Sequence, residues 1–216
     1  MRHRLLPLLA VGVFASPAFG QTFTSSGAFF GAAGAPFYTE TFESVPVPKD
    51  APIASFTKAG IKYIGQAGSP FPNVFISSPG YFNYGAGLNP TTTSILTANG
   101  DEDILIQFVS SYFAAGFDVY YNGLGPATTS FFNGTTLLGS ITYNGAAFLG
   151  FNGFIASAST PITSIHFLST LGGQLNTGID NLAVFNVPIT TAPEPATLTL
   201  FAAGGLALAL VRRRRA

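Results

Sequence analysis

Between residues 21 and 190 short apolar stretches alternate with turn residues, and no segment holds the i, i+3, i+4 spacing of an amphipathic helix. β-Branched and aromatic residues fill the apolar positions, so the pattern predicts an all-β domain without helices. Residues 37–42 alternate and predict a first strand. Residues 53–64 predict one or two more, punctuated by Gly60, and 73–77 a short one. Residues 103–109 and 116–121 read as central strands. Residues 128–132 and 135–143 flank Asn133-Gly134, a hairpin signal because both residue types tolerate positive φ. Asn122-Gly123, Asn144-Gly145 and Asn152-Gly153 predict further turns, and 162–168 and 179–187 complete the set. About eight to ten short strands with frequent turns predict a β-sandwich of jelly-roll type. An up-and-down barrel fits the same pattern, whereas the lack of an exact repeat argues against a solenoid.

The two ends follow different rules. Arg2 and Arg4 precede the apolar run 5–15, and the small-residue exit Ala18-Phe19-Gly20 follows. That order predicts a signal peptide over 1–20, cleaved before Gln21. The ectodomain then spans 21–187, and 188–195 form a Pro- and Thr-containing linker. Residues 196–211 carry no charge, and Arg212, Arg213, Arg214 and Arg215 close the chain before Ala216. A helix over that apolar stretch is about 24 Å long, slightly short of the usual hydrocarbon thickness of about 30 Å. Snorkelling arginines close the gap. The pattern predicts a single transmembrane helix at 196–211, with 212–216 as a cytoplasmic stop and the domain outside the inner membrane.

Charge sharpens this picture. Charged residues are only 8% of the chain, against 47% hydrophobic ones. The formal net charge of zero hides a segregation, because every arginine lies in the terminal segments. Between 21 and 190, three lysines against eight carboxylates leave −5. A nucleic-acid partner is excluded, since a phosphate backbone needs basic neutralisation. The absence of cysteine excludes disulfides, thiolate metal sites and cysteine nucleophiles. The 22 Phe and 8 Tyr supply ample surface to bury.

Pro193-Glu194-Pro195, the short apolar helix and the terminal arginines resemble the PEP-CTERM sorting signal of Gram-negative bacteria. Ala192 stands where Val is common in that signal. The resemblance covers about residues 192–216. It implies recognition by an exosortase, cleavage near Pro193-Glu194-Pro195, transient anchoring in the inner membrane, and release or transfer to the cell surface or matrix. It also implies an association with exopolysaccharide and biofilm. The ectodomain resembles the β-rich domains of such proteins through Thr41-Phe42-Glu43, the run 115–119 and the run 178–182. Those domains are similar to jelly-roll carbohydrate-binding modules, which implies a structural calcium and a glycan surface.

Several residues are candidates for chemistry. The first and last strands of a jelly roll often lie side by side, so Glu43 and Asp180 could share a calcium ion, with Asp118 as a third ligand. The alternative is solvated edge carboxylates. Asp101-Glu102-Asp103 lack the spacing of an EF-hand loop and read as a solvated hairpin entrance. His166 alternates with Ile165 and Phe167 and is expected to face outward; one histidine builds no multi-histidine metal site. Tyr63, Tyr81, Tyr84, Tyr120 and Tyr121 could offer rings to sugars, although most aromatics in such a chain belong to the core. No nucleophile-elbow motif is present. The sequence therefore points to a non-catalytic structural or glycan-binding module of the envelope or extracellular matrix. A polysaccharide hydrolase or lyase on a jelly-roll scaffold is the alternative.

Overall fold

A computed structural model describes residues 20–66, 71–85, 87–98, 100–170 and 175–188. Residues 1–19 of the predicted signal peptide, the Pro-Glu-Pro motif, the predicted transmembrane helix and the arginine run lie outside the described residues. The elements in chain order are β1 (Gln21–Phe23), α1 (Ser26–Ala33), β2 (Tyr38–Glu40), β3 (Ser55–Lys58), β4 (Ile61–Gly65), β5 (Phe75–Ser77) and β6 (Ile95–Thr97). They continue with β7 (Glu102–Tyr112), β8 (Ala114–Tyr121), β9 (Ala127–Asn133), β10 (Thr136–Tyr143), β11 (Phe148–Ile155), β12 (Ile162–Ser169) and β13 (Gly178–Phe185).

Two antiparallel sheets pack as a sandwich. Sheet I has seven strands in the order β1-β11-β8-β13-β6-β5, with β2 also on β13. Sheet II has six, in the order β10-β9-β12-β7-β4-β3. From β7 onward the chain changes sheet at almost every connection, the β9–β10 hairpin excepted, so neighbours in sequence face each other across the core. Period-2 alternation supplies that core. Ile104 and Ile106 of β7, Ile165 and Phe167 of β12, and Phe117 and Val119 of β8 all point between the sheets and are fully buried.

The hairpins follow their turn chemistry. β3 and β4 are joined by Ala59-Gly60, both at positive φ, as a type I′ turn requires. β9 and β10 are joined by Gly134-Thr135, and only Gly134 takes positive φ, while Asn133 stays in the ladder opposite Thr136.

Two expectations are corrected. The domain does contain a helix: the Ser25 hydroxyl accepts from Ala28 N at 3.4 Å, and Gly34 closes the end at φ 82 by donating to Phe30 O. α1, on the outer face of sheet I, lacks an obvious amphipathic pattern because its exposed positions are mostly glycine and alanine rather than charged residues. There Phe29 joins Phe23, Phe151, Ile155 and Phe185 in a second apolar cluster. Asn152-Gly153 is not a turn but the middle of β11. Asn152 points into the core and donates to Thr129 Oγ1, while Gly153 lies beneath the Phe29 ring. The turn signal is overridden because a side chain at 153 would occupy the space that α1 needs.

Candidate functional site

Alternation along sheet II leaves its outer face uncovered by α1 and organised in rows. Asp103, Leu105 and Gln107 of β7 point outward between the buried residues of the same strand. One row runs Lys62, Gln107, Ser164 and Phe132, each the cross-strand partner of the next. A parallel row runs Ile64, Leu105, His166, Ser130 and Ser140. A depression of about 390 Å³ lies between Lys62, Phe108, Val109 and Thr163. A second, of about 330 Å³, lies between Gln66, Phe132, Thr135 and His166. Both share Gln107, Gly134 and Ser164, so they form one open groove. The β9–β10 turn is tied down at its rim. Gly134 N donates to Thr163 Oγ1 at 2.7 Å, and that hydroxyl donates to Phe132 O.

His166 faces outward as expected, and its Nε2 lies 2.6 Å from Asp103 Oδ1. The pair is partly exposed on the sheet face. Ser130 is the cross-strand partner of His166, yet no described hydroxyl hydrogen-bonds the imidazole. Two members of an acid–base relay are therefore together without an engaged nucleophile.

The predicted calcium ligands gather around Thr93 and Ser94 at the outer side of sheet I. β2, in the predicted first strand, does pair with β13, but its carboxylate there is Glu40, opposite Leu182. Glu40 is buried and bound to Lys58 Nζ at 3.0 Å, Tyr38 Oη at 2.7 Å and Phe42 N at 2.8 Å. Glu43 lies beyond the strand and accepts from Ser94 N, Ser94 Oγ and Lys49 Nζ. Burial alone would raise its pKa, but these Ser94 and Lys49 donors bring it below the usual value. Asp180 sits at a bulge in β13, opposite Asp118, with Asn181 at φ 53. Its oxygens accept from Thr93 Oγ1 at 2.6 Å and Asn181 N at 2.7 Å, and Asn181 Nδ2 donates to Asp118 at 2.8 Å. Burial pushes Asp180 up to about 6, opposed by those bonds and reinforced by Asp118 and Glu43. Each of these carboxylates already accepts from a protein donor and an ammonium lies on Glu43, so a calcium ion there would have to displace them. Among the described residues no group of three such side chains converges as a metal site.

Asp101-Glu102-Asp103 is not a solvated entrance throughout, because Glu102 faces the core and is fully buried. Tyr63, Tyr84 and Tyr121 are fully buried, whereas Tyr81 is exposed and Tyr120 half-buried. The groove itself escaped the sequence reading. Its row of outward polar residues exists only once strand register is set, although the alternation in 103–107 and 162–168 is its trace.

No curated protein matches the chain. Among solved structures, the K2 cleaved adhesin domain of Lys-gingipain is similar over 69% of this chain and 98% of that one, at 14% identity and a TM-score of 0.47. The N-terminal CBM22-1–GH10 modules of Clostridium thermocellum endo-1,4-β-D-xylanase 10B, solved with xylohexaose, are similar over 71% of this chain, at 8% identity and a TM-score of 0.32. The match spans 29% of those modules. Residues 191–215 match the PEP-CTERM protein-sorting motif, so the chain carries the recognition signal of an exosortase and is a secreted protein that is membrane-anchored before processing.

Proposed function

We infer that the sandwich is a non-catalytic glycan-binding module, delivered by its sorting motif to the cell surface or extracellular matrix, where exopolysaccharide is its partner. The observation that carries this reading is the open groove on sheet II. It presents amide, hydroxyl and imidazole groups of Gln66, Gln107, Ser164 and His166 beside the ring of Phe132. An elongated, shallow, low-charge groove suits a chain of sugars, whose hydroxyls pair with such groups and whose apolar ring faces rest on an aromatic.

The test is sedimentation of the processed protein with insoluble polysaccharides, followed by titration with soluble fragments. Phe132→Ala is expected to weaken binding about tenfold and Gln107→Ala severalfold, with unchanged melting because both side chains lie on the outer face. Binding that ignores both substitutions would remove the groove from consideration. The alternative of a polysaccharide-active enzyme rests on the His166–Asp103 pair. It requires release of reducing ends in the same assay and loss of that release in Asp103→Asn.

A further inference from the structure

We propose that β10 is a self-association edge, through which two copies of this chain join their six-stranded sheets into one continuous sheet. An outermost strand leaves every other backbone N–H and C=O without a ladder partner, and proteins blunt such edges by shortness, charge or cover. Among the described residues five strands have a free side, and four of them are blunted; β2, which pairs with β13 alone, has three residues. β1 and β5 have three residues each, and all three of β5 are buried. β3 has four and carries Lys58. β10 has eight residues, pairs among the described residues with β9 alone, and contains neither charge nor proline. Its register shifts once, between Leu137 and Gly139, and from Gly139 to Tyr143 it runs regularly along β9.

The surroundings favour a second copy as the occupant. The domain carries −5, so two copies repel wherever their carboxylates meet. Residues 119–179 contain no Asp, Glu, Lys or Arg. β10, its ladder partner β9 and the next strand β12 all lie in that run, and β11 meets β10 where Tyr143 Oη donates to Phe151 O, so identical molecules approach this side without like charges. An antiparallel two-fold pairing centred on Ile141 sets Ser140 against Thr142 of the other copy, and Gly139 against its Tyr143. Ser140 and Thr142 are exposed, small and polar, so the facing row closes without clash or buried charge. The joined sheet lays two grooves side by side, which raises avidity for a repeating polymer.

The test is analytical ultracentrifugation of the processed protein from about 1 to about 500 µM, a range set by weak interfaces of this size. A reversible dimer is expected. In the variant Ser140→Lys/Thr142→Lys lysine meets lysine across the two-fold, and dimerisation is expected to weaken by at least about tenfold. Ser55→Lys on the β3 edge is expected to leave it unchanged. Hydrogen exchange on the unmodified protein gives an independent reading: protection of amides 139–143 is expected to rise with protein concentration. A monomer throughout, or a dimer with concentration-independent exchange in 139–143, overturns the proposal. So does a dimer untouched by a folded lysine variant.

Discussion

Glu102 and Asp180 are carboxylates that folding withdraws from water, with different consequences. Glu102 opens β7 facing inward and pairs in register with Ser169. Thr97 Oγ1 shares its proton between one Glu102 oxygen, at 3.0 Å, and Thr177 O, and the other carboxyl oxygen has no hydrogen-bond partner among the described residues. Burial pushes the Glu102 pKa well above the usual carboxylate range, against the Thr97 hydroxyl and nearby backbone amides, and so favours the neutral acid. Glu102→Gln, which copies that neutral form, is expected to change unfolding free energy by less than about 1 kcal/mol in urea titrations at pH 7. Asp180 titrates near neutrality, at about 6 against an ordinary 3.8. The folded state therefore holds this proton more tightly than the unfolded chain does. Its contribution to stability is complete below the unfolded value and is lost as pH rises through about 6, at most about 3 kcal/mol. The melting temperature is expected to fall between pH 4.5 and pH 7.5, and Asp180→Asn to flatten that part of the profile. A profile equally steep in the variant would assign the proton elsewhere.

At the scale of elements, the hairpins were legible because turn residues act locally. Gly60 and Gly134 mark their turns whatever the rest of the chain does, and 103–109 and 162–168 show the alternation that a half-exposed strand needs. β11 and α1 were not legible because each makes sense only against the other. Cβ atoms on Gly153 and Gly116 would come within 2.7 and 2.9 Å of Phe29 ring atoms, so both glycines serve the helix rather than a turn. Gly153→Ala is expected to cost about 1–3 kcal/mol through overpacking. Phe29→Ala is expected to cost about 3–5 kcal/mol through the cavity it leaves among four other rings and an isoleucine. Chemical denaturation checks both, and loss of α1 amide protection identifies the cause.

For the molecule as a whole, the sorting segment and the sandwich obey separate logics. Pro193→Ala/Glu194→Ala is expected to leave the full-length chain unprocessed in a host with an exosortase, which immunoblotting of membrane and medium fractions reads directly. The sandwich is expected to melt at the same temperature in calcium and in chelator, because Lys49, Thr93 and Asn181 already satisfy the acids gathered there. A calcium-dependent rise that disappears in Asp180→Asn would restore Glu43, Asp118 and Asp180 as ligands. The sequence by itself determined the all-β class, most strand positions, the segregation of charge and the sorting motif. Each of these is written in local periodicity or in a contiguous run of residues. Only the tertiary structure decided that Glu102 and Glu40 are buried, that Asp103 meets His166, and that polar side chains from β4, β7 and β12 form one groove with the Phe132 ring of β9. It also left β10 at a sheet edge. These are properties of strand order and register, and such pairings join residues dozens of positions apart whose meeting no local pattern encodes.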